Sequence, residues 1–278
     1  MSQALPVSYV RVTGVERPTP RTARVTFTGE ALPELMEDRP DQQMKLCFPR
    51  SGQRVPRLPE QDADDTYGMR WYEAYLAIPE AERPWMRGFT VRAYDRARNA
   101  MTVDFVLHGD TGPAARWGRA ARTGDVLGMV GPSSAYARPL PASEWLLLAG
   151  DETALPAVAT LLADLPAGMR AYVYGEVADA DEEQEFASAA DLTVHWVHRD
   201  QGGSLVDAVR AAALPGDGAG AAWLAGEAGA IRALRRHLVE DRRLPKEAVE
   251  FSGYWRRSLT QDDAPTEEDL AWAAEQAG

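Results

Sequence analysis

With 278 residues, 45% of them hydrophobic, and a formal net charge of −12, the chain has room for two domains of ordinary size and is a poor match for nucleic acid. Its single cysteine, Cys47, excludes an internal disulfide framework and any cysteine-rich metal centre. No apolar run approaches the roughly 20 residues that cross a bilayer, and no charged-then-apolar signal opens the chain, so a cytoplasmic location without membrane insertion is expected. A monomer is the default expectation, on which these residues are silent.

The first half alternates apolar and polar residues in short runs. Strands are predicted over 7–12, 24–28, 44–48, 88–94, 101–107 and 126–130, with turn residues between them. Six such strands suggest a small antiparallel barrel. Between Pro49 and Pro84 lies an insertion rich in Pro, Asp and Glu. Its aromatic residues Tyr67, Trp71, Tyr72 and Tyr75 read as a partly helical lid. From residue 144 the rhythm changes to strand–helix alternation. Strands are predicted over 145–148, 171–174, 192–197, 221–224 and 249–251, and helices over 154–165, 181–190, 205–213 and 228–240. That spacing predicts a doubly wound parallel sheet. Pro139 and Pro141 set the boundary, giving a barrel domain over 1–140 and an α/β domain over 141–278 that ends in a helical extension.

Residues 86–92 read Met-Arg-Gly-Phe-Thr-Val-Arg. On a strand Arg87 and Phe89 fall on one side and Thr90 on the other. A guanidinium fork suits a pyrophosphate, an aromatic face suits a flat heterocycle, and a hydroxyl can donate to a ring nitrogen. Downstream, a strand ends at His108-Gly109, and Gly112-Pro113 opens a short helix whose first amides form an anion site. The two devices together describe a site for a flavin dinucleotide. In the second half, Gly150-Asp151-Glu152-Thr153-Ala154-Leu155-Pro156 lacks the G-x-G-x-x-G fingerprint but lies where open sheets bind ligands, at the carboxyl ends of strands. Glu176 is suited to accept from a ribose hydroxyl, and Arg199 to hold a 2′-phosphate. The sequence leaves NADH and NADPH both open.

These landmarks, with Gly124-Asp125, Gly131-Pro132 and Gly253-Tyr254-Trp255-Arg256, resemble the siderophore-interacting proteins. Those are flavin-dependent ferric-siderophore reductases of the ferredoxin-reductase-like superfamily, and the resemblance runs along nearly the whole chain. It implies an FAD-binding barrel and an NAD(P)H-binding α/β domain. Arg87, Phe89 and Thr90, with Gly88 and Val91, would hold the flavin. Asp104, His108, Gly109, Gly112, Pro113, Ala114, Ala115 and Trp117 would lie along its diphosphate and adenosine side. Asp151, Thr153 and Ala154 would sit where flavin meets nicotinamide, and Trp255 beside the ring. The family's usual Tyr of the first motif is Phe89 here, which retains stacking and loses a phenolic hydrogen bond. Lys45, Arg256 and Arg138 are the implied cations for an anionic ferric siderophore. The siderophore fills the iron's coordination shell, so no protein ligand to iron and no catalytic acid or base is expected. Electron delivery to a protein such as ferredoxin, and a non-enzymatic siderophore-binding role, remain as alternatives.

Overall fold

The computed structural model describes residues 6–257, apart from 38, 63, 66, 67, 108–111, 134–140 and 217. The first part is a seven-stranded antiparallel sheet curled into a barrel. Its strands are β1 (Val7–Thr19), β2 (Thr22–Thr28), β3 (Gln43–Phe48), β4 (Trp85–Thr90), β5 (Ala93–Asp95), β6 (Ala100–Val106) and β7 (Val126–Ser133). They lie in the order β4-β3-β7-β1-β2-β6-β5. Period-two alternation turns Ala23, Val25 and Phe27 of β2 and Met101, Val103 and Phe105 of β6 into one buried core. Three helices accompany these strands: α1 (Leu32–Leu35), α2 (Met69–Ala77) and α3 (Pro113–Ala120). The Trp117 ring of α3 lies 5.1 Å from that of Phe105 and 5.7 Å from that of Phe48, plugging the barrel.

The expected six strands are seven because the alternating run 88–94 serves two neighbours. Up to Thr90 it pairs with β3, and from Ala93 it pairs with β6. The switch occurs between adjacent amides: Val91 donates to the Gln42 carbonyl and Arg92 to that of Thr102. One chain segment thus bridges the two ends of the sheet order.

The expected lid is instead fastened to the barrel's outer face. Trp71 and Tyr75 of α2 stack on each other and pack with Cys47 and Val130. The Tyr75 hydroxyl donates to the Pro84 carbonyl at 2.6 Å. A Cβ on Gly128 of β7 would lie 2.5 Å from Leu58, which shows how closely the insertion covers the strand. Tyr67 lies outside the described residues.

The second part is a five-stranded parallel sheet made of β8 (Trp145–Asp151), β9 (Arg170–Val177), β10 (Asp191–His198), β11 (Gly220–Glu227) and β12 (Val249–Trp255). Its order is β10-β9-β8-β11-β12, with α4 (Leu155–Asp164), α5 (Leu205–Arg210) and α6 (Ala228–Arg236) covering it. β8 is buried along its whole length, as a central parallel strand must be. The order reverses between β8 and β11, which places a crevice at their carboxyl ends. The predicted helix over 181–190 does not form. Only a 3-10 turn, Ala180–Glu182, is present, because Glu182 is drawn out of register by the barrel. Its buried carboxylate accepts from the Thr19 hydroxyl at 2.6 Å and from the Arg21 amide at 2.8 Å. Phe186 stacks on Trp196 and pins the following stretch.

A second seam joins the two sheets nearer the crevice. Asp41 accepts from the Trp223 indole at 3.2 Å, and its amide donates to the Thr160 hydroxyl at 2.9 Å. Replacing Glu182 by Ala leaves the Thr19 and Arg21 donors unmatched at the first seam. The expected cost is about 1–3 kcal/mol in urea-unfolding free energy, partly recovered by Glu182→Gln. An unchanged unfolding midpoint would show that this seam contributes nothing.

Candidate functional site

β4 forms one wall of the crevice. Register with β3 sets Arg87 opposite Leu46 and Phe89 opposite Met44, so both side chains share the barrel's inner face, while Thr90 faces outward opposite Gln43. Phe89 is half-buried, its ring 4.6 Å from that of Phe105, so it is part of the barrel's aromatic cluster as well as its edge. Arg87 donates to the Met86 carbonyl at 2.9 Å. Gly88 is exposed, and a Cβ there would meet nothing within 4 Å. Val91 is buried in the barrel and its amide is occupied by the Gln42 carbonyl.

α3 begins after Gly112 with Pro113 in its first turn, and no described side chain caps it. The amides of Ala114 and Ala115 are therefore first-turn donors without an intrahelical acceptor. Ala115 is buried against the barrel. Two neighbours in the motif have structural tasks. Asp104 takes a two-pronged pair from Arg24, at 2.8 Å for each bond, and Trp117 belongs to the core. Beside them, Arg92 has a buried Nε with no hydrogen-bond partner. Burial holds its guanidinium below the ordinary arginine range, against the opposing pull of Asp104. His108, Gly109 and Arg138 lie outside the described residues.

The opposite wall is the carboxyl end of the parallel sheet, organised by Asp151. Its Oδ1 accepts from the Thr153 amide at 2.9 Å and from the Thr153 hydroxyl at 2.5 Å. Its Oδ2 accepts from the Glu227 amide at 2.9 Å and the Trp255 indole at 2.8 Å. Gly226 has φ +141, and a Cβ there would lie 2.5 Å from Asp151 Oδ2, so this approach requires glycine. Burial pushes the Asp151 carboxyl up to about 6, with the Thr153 and Trp255 hydrogen bonds opposing and the Glu152 charge adding to the rise. Asp151 thus acts on the crevice through Trp255, a residue that remains 37% exposed. Ala154 is fully buried in the layer beneath.

The two walls meet at Tyr254. Its hydroxyl is hydrogen-bonded with Thr90 and receives Gln43 Nε2 at 3.4 Å. Burial, with the charges of Asp41 and Asp151, holds the phenol well above its ordinary range. Sequence reasoning missed Asp41 and Gln43. The only local signal is a Pro40-Asp41 turn, with Asp41 at φ 51, just before β3. Lys45 is exposed on the outward face of β3, opposite Gly88. Arg256 follows directly on Trp255 and is half-exposed. Glu176 and Arg199, read as opposing candidates, are in fact paired with each other.

The residues present fit a flavin dinucleotide on three counts. There is open space at Gly88 and Gly112, α3 has first-turn amides with no described side-chain cap, and the buried Arg92 Nε lacks a hydrogen-bond partner.

Comparison with known proteins agrees with this architecture. Residues 11–136 match the model of the siderophore-interacting FAD-binding domain, and residues 143–258 that of the siderophore-interacting protein. The chain is 30% identical over 243 residues to ferric vibriobactin reductase ViuB of Vibrio cholerae, covering 86% of this chain and 85% of that protein. Among solved structures, a siderophore utilization protein from T. fusca is 33% identical with a TM-score of 0.79, covering 93% of this chain and 96% of the other. The siderophore-interacting protein SipS from Aeromonas hydrophila is 25% identical with a TM-score of 0.74, at 98% coverage of both chains.

Asp151 gives a pH test. Its folded pKa of about 6 lies above the ordinary 3.8, so the folded protein holds this proton more tightly than the unfolded chain does. The stability this confers is full below about pH 4 and is lost as pH rises through about 6. Asp151→Asn does not titrate there. The stability of the natural protein relative to the variant is expected to fall by about 2 kcal/mol between pH 4 and 7 in paired urea titrations. A pH-independent difference would sink the assignment.

Proposed function

The chain belongs to the siderophore-interacting protein family, and from that premise we propose that it is a flavin-dependent reductase carrying electrons from a pyridine nucleotide to Fe(III) held in a siderophore. The observation that carries the reading is the crevice itself. Thr90 on β4 and Trp255 at the end of β12 are brought to one place by the Tyr254 and Asp151 hydrogen bonds. A two-electron donor thereby has a binding edge beside the barrel wall that suits a flavin.

FAD, when bound, supplies the conversion between a donor that gives two electrons and a metal that takes one. The chain's own residues bind and orient. The Arg87 and Arg92 guanidinium groups and the Ala114 and Ala115 amides provide cationic and directional donors for a diphosphate. Gly88 and Gly112 allow close approach of the backbone. Thr90 sets the edge of the ring site through its bond with Tyr254, and Phe89 offers the remaining part of its ring. His108 and Gly109 are assigned to the same side by their place between β6 and α3. Trp117 supports that region from within the core. Thr153, beside Asp151, opens the nucleotide side, and Trp255 is held by its indole nitrogen so that its face has one orientation.

Overall, one reduced pyridine nucleotide serves two ferric complexes and releases a proton, which balances two electrons. Fe(II) is less highly charged than Fe(III), so hard oxygen donors grip it less and release follows. Lys45 and Arg256 attract the anionic chelate, and Arg138 is assigned the same role from its sequence position. The reading carries a cytoplasmic site of action with it, since reduced pyridine nucleotide is kept there.

The test is anaerobic and spectroscopic. The purified protein is expected to show flavin absorbance that NADH or NADPH bleaches and that a ferric siderophore restores, with Fe(II) trapped by a ferrous chelator. Flavin that ferredoxin reoxidises and ferric siderophores do not would replace this reading by electron transfer to a protein, and a colourless protein would end both. Lys45→Glu is expected to raise the KM for an anionic ferric siderophore roughly 3- to 10-fold with flavin content unaltered. Equal KM values in the two proteins would remove Lys45 from substrate capture.

A further inference from the structure

Three charged side chains meet at the carboxyl ends of the three strands on one side of the switch point. Glu152 follows β8, Glu176 is the next-to-last residue of β9, and Arg199 follows β10. Arg199 Nη1 donates to Glu152 Oε2 at 2.6 Å and to Glu176 Oε1 at 3.4 Å, while its Nη2 donates to the other oxygen of Glu152. Glu176 Oε2 is fixed from the far side by the Leu205 amide at 2.8 Å. The two carboxylates are mostly shielded, and Arg199 keeps about a third of its side chain accessible. Two negative charges against one positive leave the cluster net negative, and Asp200 adds a further carboxylate next in the chain.

We infer that Glu152 and Glu176 capture the arginine that would otherwise hold a 2′-phosphate, and so make this edge selective for NADH over NADPH. The inference rests on the pyridine-nucleotide reading given above and specifies it. In doubly wound sheets an acidic side chain near the end of the second strand accepts from the adenosine ribose 2′-hydroxyl, whereas a nearby arginine accommodates a 2′-phosphate. Here both residue types are present and the geometry decides between them. Arg199 donates through both terminal nitrogens to carboxylates of its own chain. A 2′-phosphate would have to break a two-pronged ion pair and then lie beside two carboxylates, and like charges at such range are strongly rejecting. A 2′-hydroxyl demands neither, and it can donate to Glu176. Arg199 would therefore be a latent phosphate site, exposed when its partners lose their charge.

The test compares binding with turnover. The non-reducing tetrahydro analogues of NADH and NADPH are titrated calorimetrically into the flavin-loaded protein, and anaerobic bleaching by NADH and NADPH is followed in parallel. The natural protein is expected to favour the NADH form. In Glu152→Gln/Glu176→Gln, which keeps an acceptor for the Leu205 amide, the affinity ratio is expected to move toward the 2′-phosphorylated form by roughly tenfold or more, with the bleaching ratio following. Arg199→Ala is expected to retain NADH binding and to reject the 2′-phosphate at least as strongly. A natural protein that prefers the phosphorylated form, an affinity ratio that the double variant leaves in place, or Arg199→Ala losing both ligands alike would overturn the inference while NADH bleaching stays intact. Failure of either nucleotide to bind or bleach the natural protein would overturn the underlying reading as well.

Discussion

Four hydrogen bonds converge on the carboxylate of Asp151, and the shape of the crevice follows from where their donors come from. Thr153 belongs to the turn after β8, Glu227 to the end of β11 and Trp255 to the end of β12. One side chain therefore fixes the relative exits of three strands at the point where the sheet order reverses. Glu227 passes the constraint on, because its own carboxylate accepts from the Ala230 amide and starts α6. The arrangement leaves no room at Gly226, where any Cβ would strike the carboxylate. The donors offset only part of the desolvation, which is why the group's pKa stays high.

β12 fastens the two walls to each other at an irregularity in its pairing. Gly253 pairs with Gly226 and Trp255 with Glu227, so Tyr254 is the extra residue between two paired ones and is free to turn toward the barrel. Tyr254 reaches Thr90 and Gln43 in the barrel, and Trp255 reaches Asp151 within the nucleotide sheet. Asp41, two residues before Gln43, grips Trp223 on the neighbouring strand β11. The barrel edge is thus positioned by the same strands whose carboxyl ends line the crevice. The β4–β5 switch supports this from the other side, since it holds Thr90 at the last residue of β4.

The sequence made the regular elements legible wherever one physical pattern was enough. Ala23, Val25 and Phe27 alternate into the core, and the unbroken apolar run of β8 announces a strand buried on both faces. It did not reveal where an alternating run changes partners, because 88–94 keeps one pattern across two pairings. The acidic stretch after Asp179 has helix-forming composition, yet Glu182 answers to Thr19, 163 positions away. Asp41 and Gln43 were invisible for the same reason, their partners lying 182 and 211 positions further on. Motif neighbours carried the opposite risk. Asp104 and Trp117 stand among candidate ligand residues, and the fold uses one to hold Arg24 and the other to fill the barrel.

Charge distribution shows the same division between local and distant effects. A net charge of −12 sets a field that repels anionic ligands, yet such a field is screened over roughly 8 Å at physiological ionic strength. What an anion meets inside the crevice is decided by which cations the fold has already neutralised. Arg24 is held by Asp104, Arg21 faces Asp179, and Arg199 is shared between Glu152 and Glu176. Arg92 differs, because it is desolvated and retains an unpartnered Nε, and a desolvated cation gains more from an incoming anion than a hydrated one does. Lys45 differs in the other direction, standing exposed on the barrel's outward face, where it attracts without binding tightly. A permanently bound dinucleotide suits the first kind of cation, and a substrate that must arrive and leave suits the second.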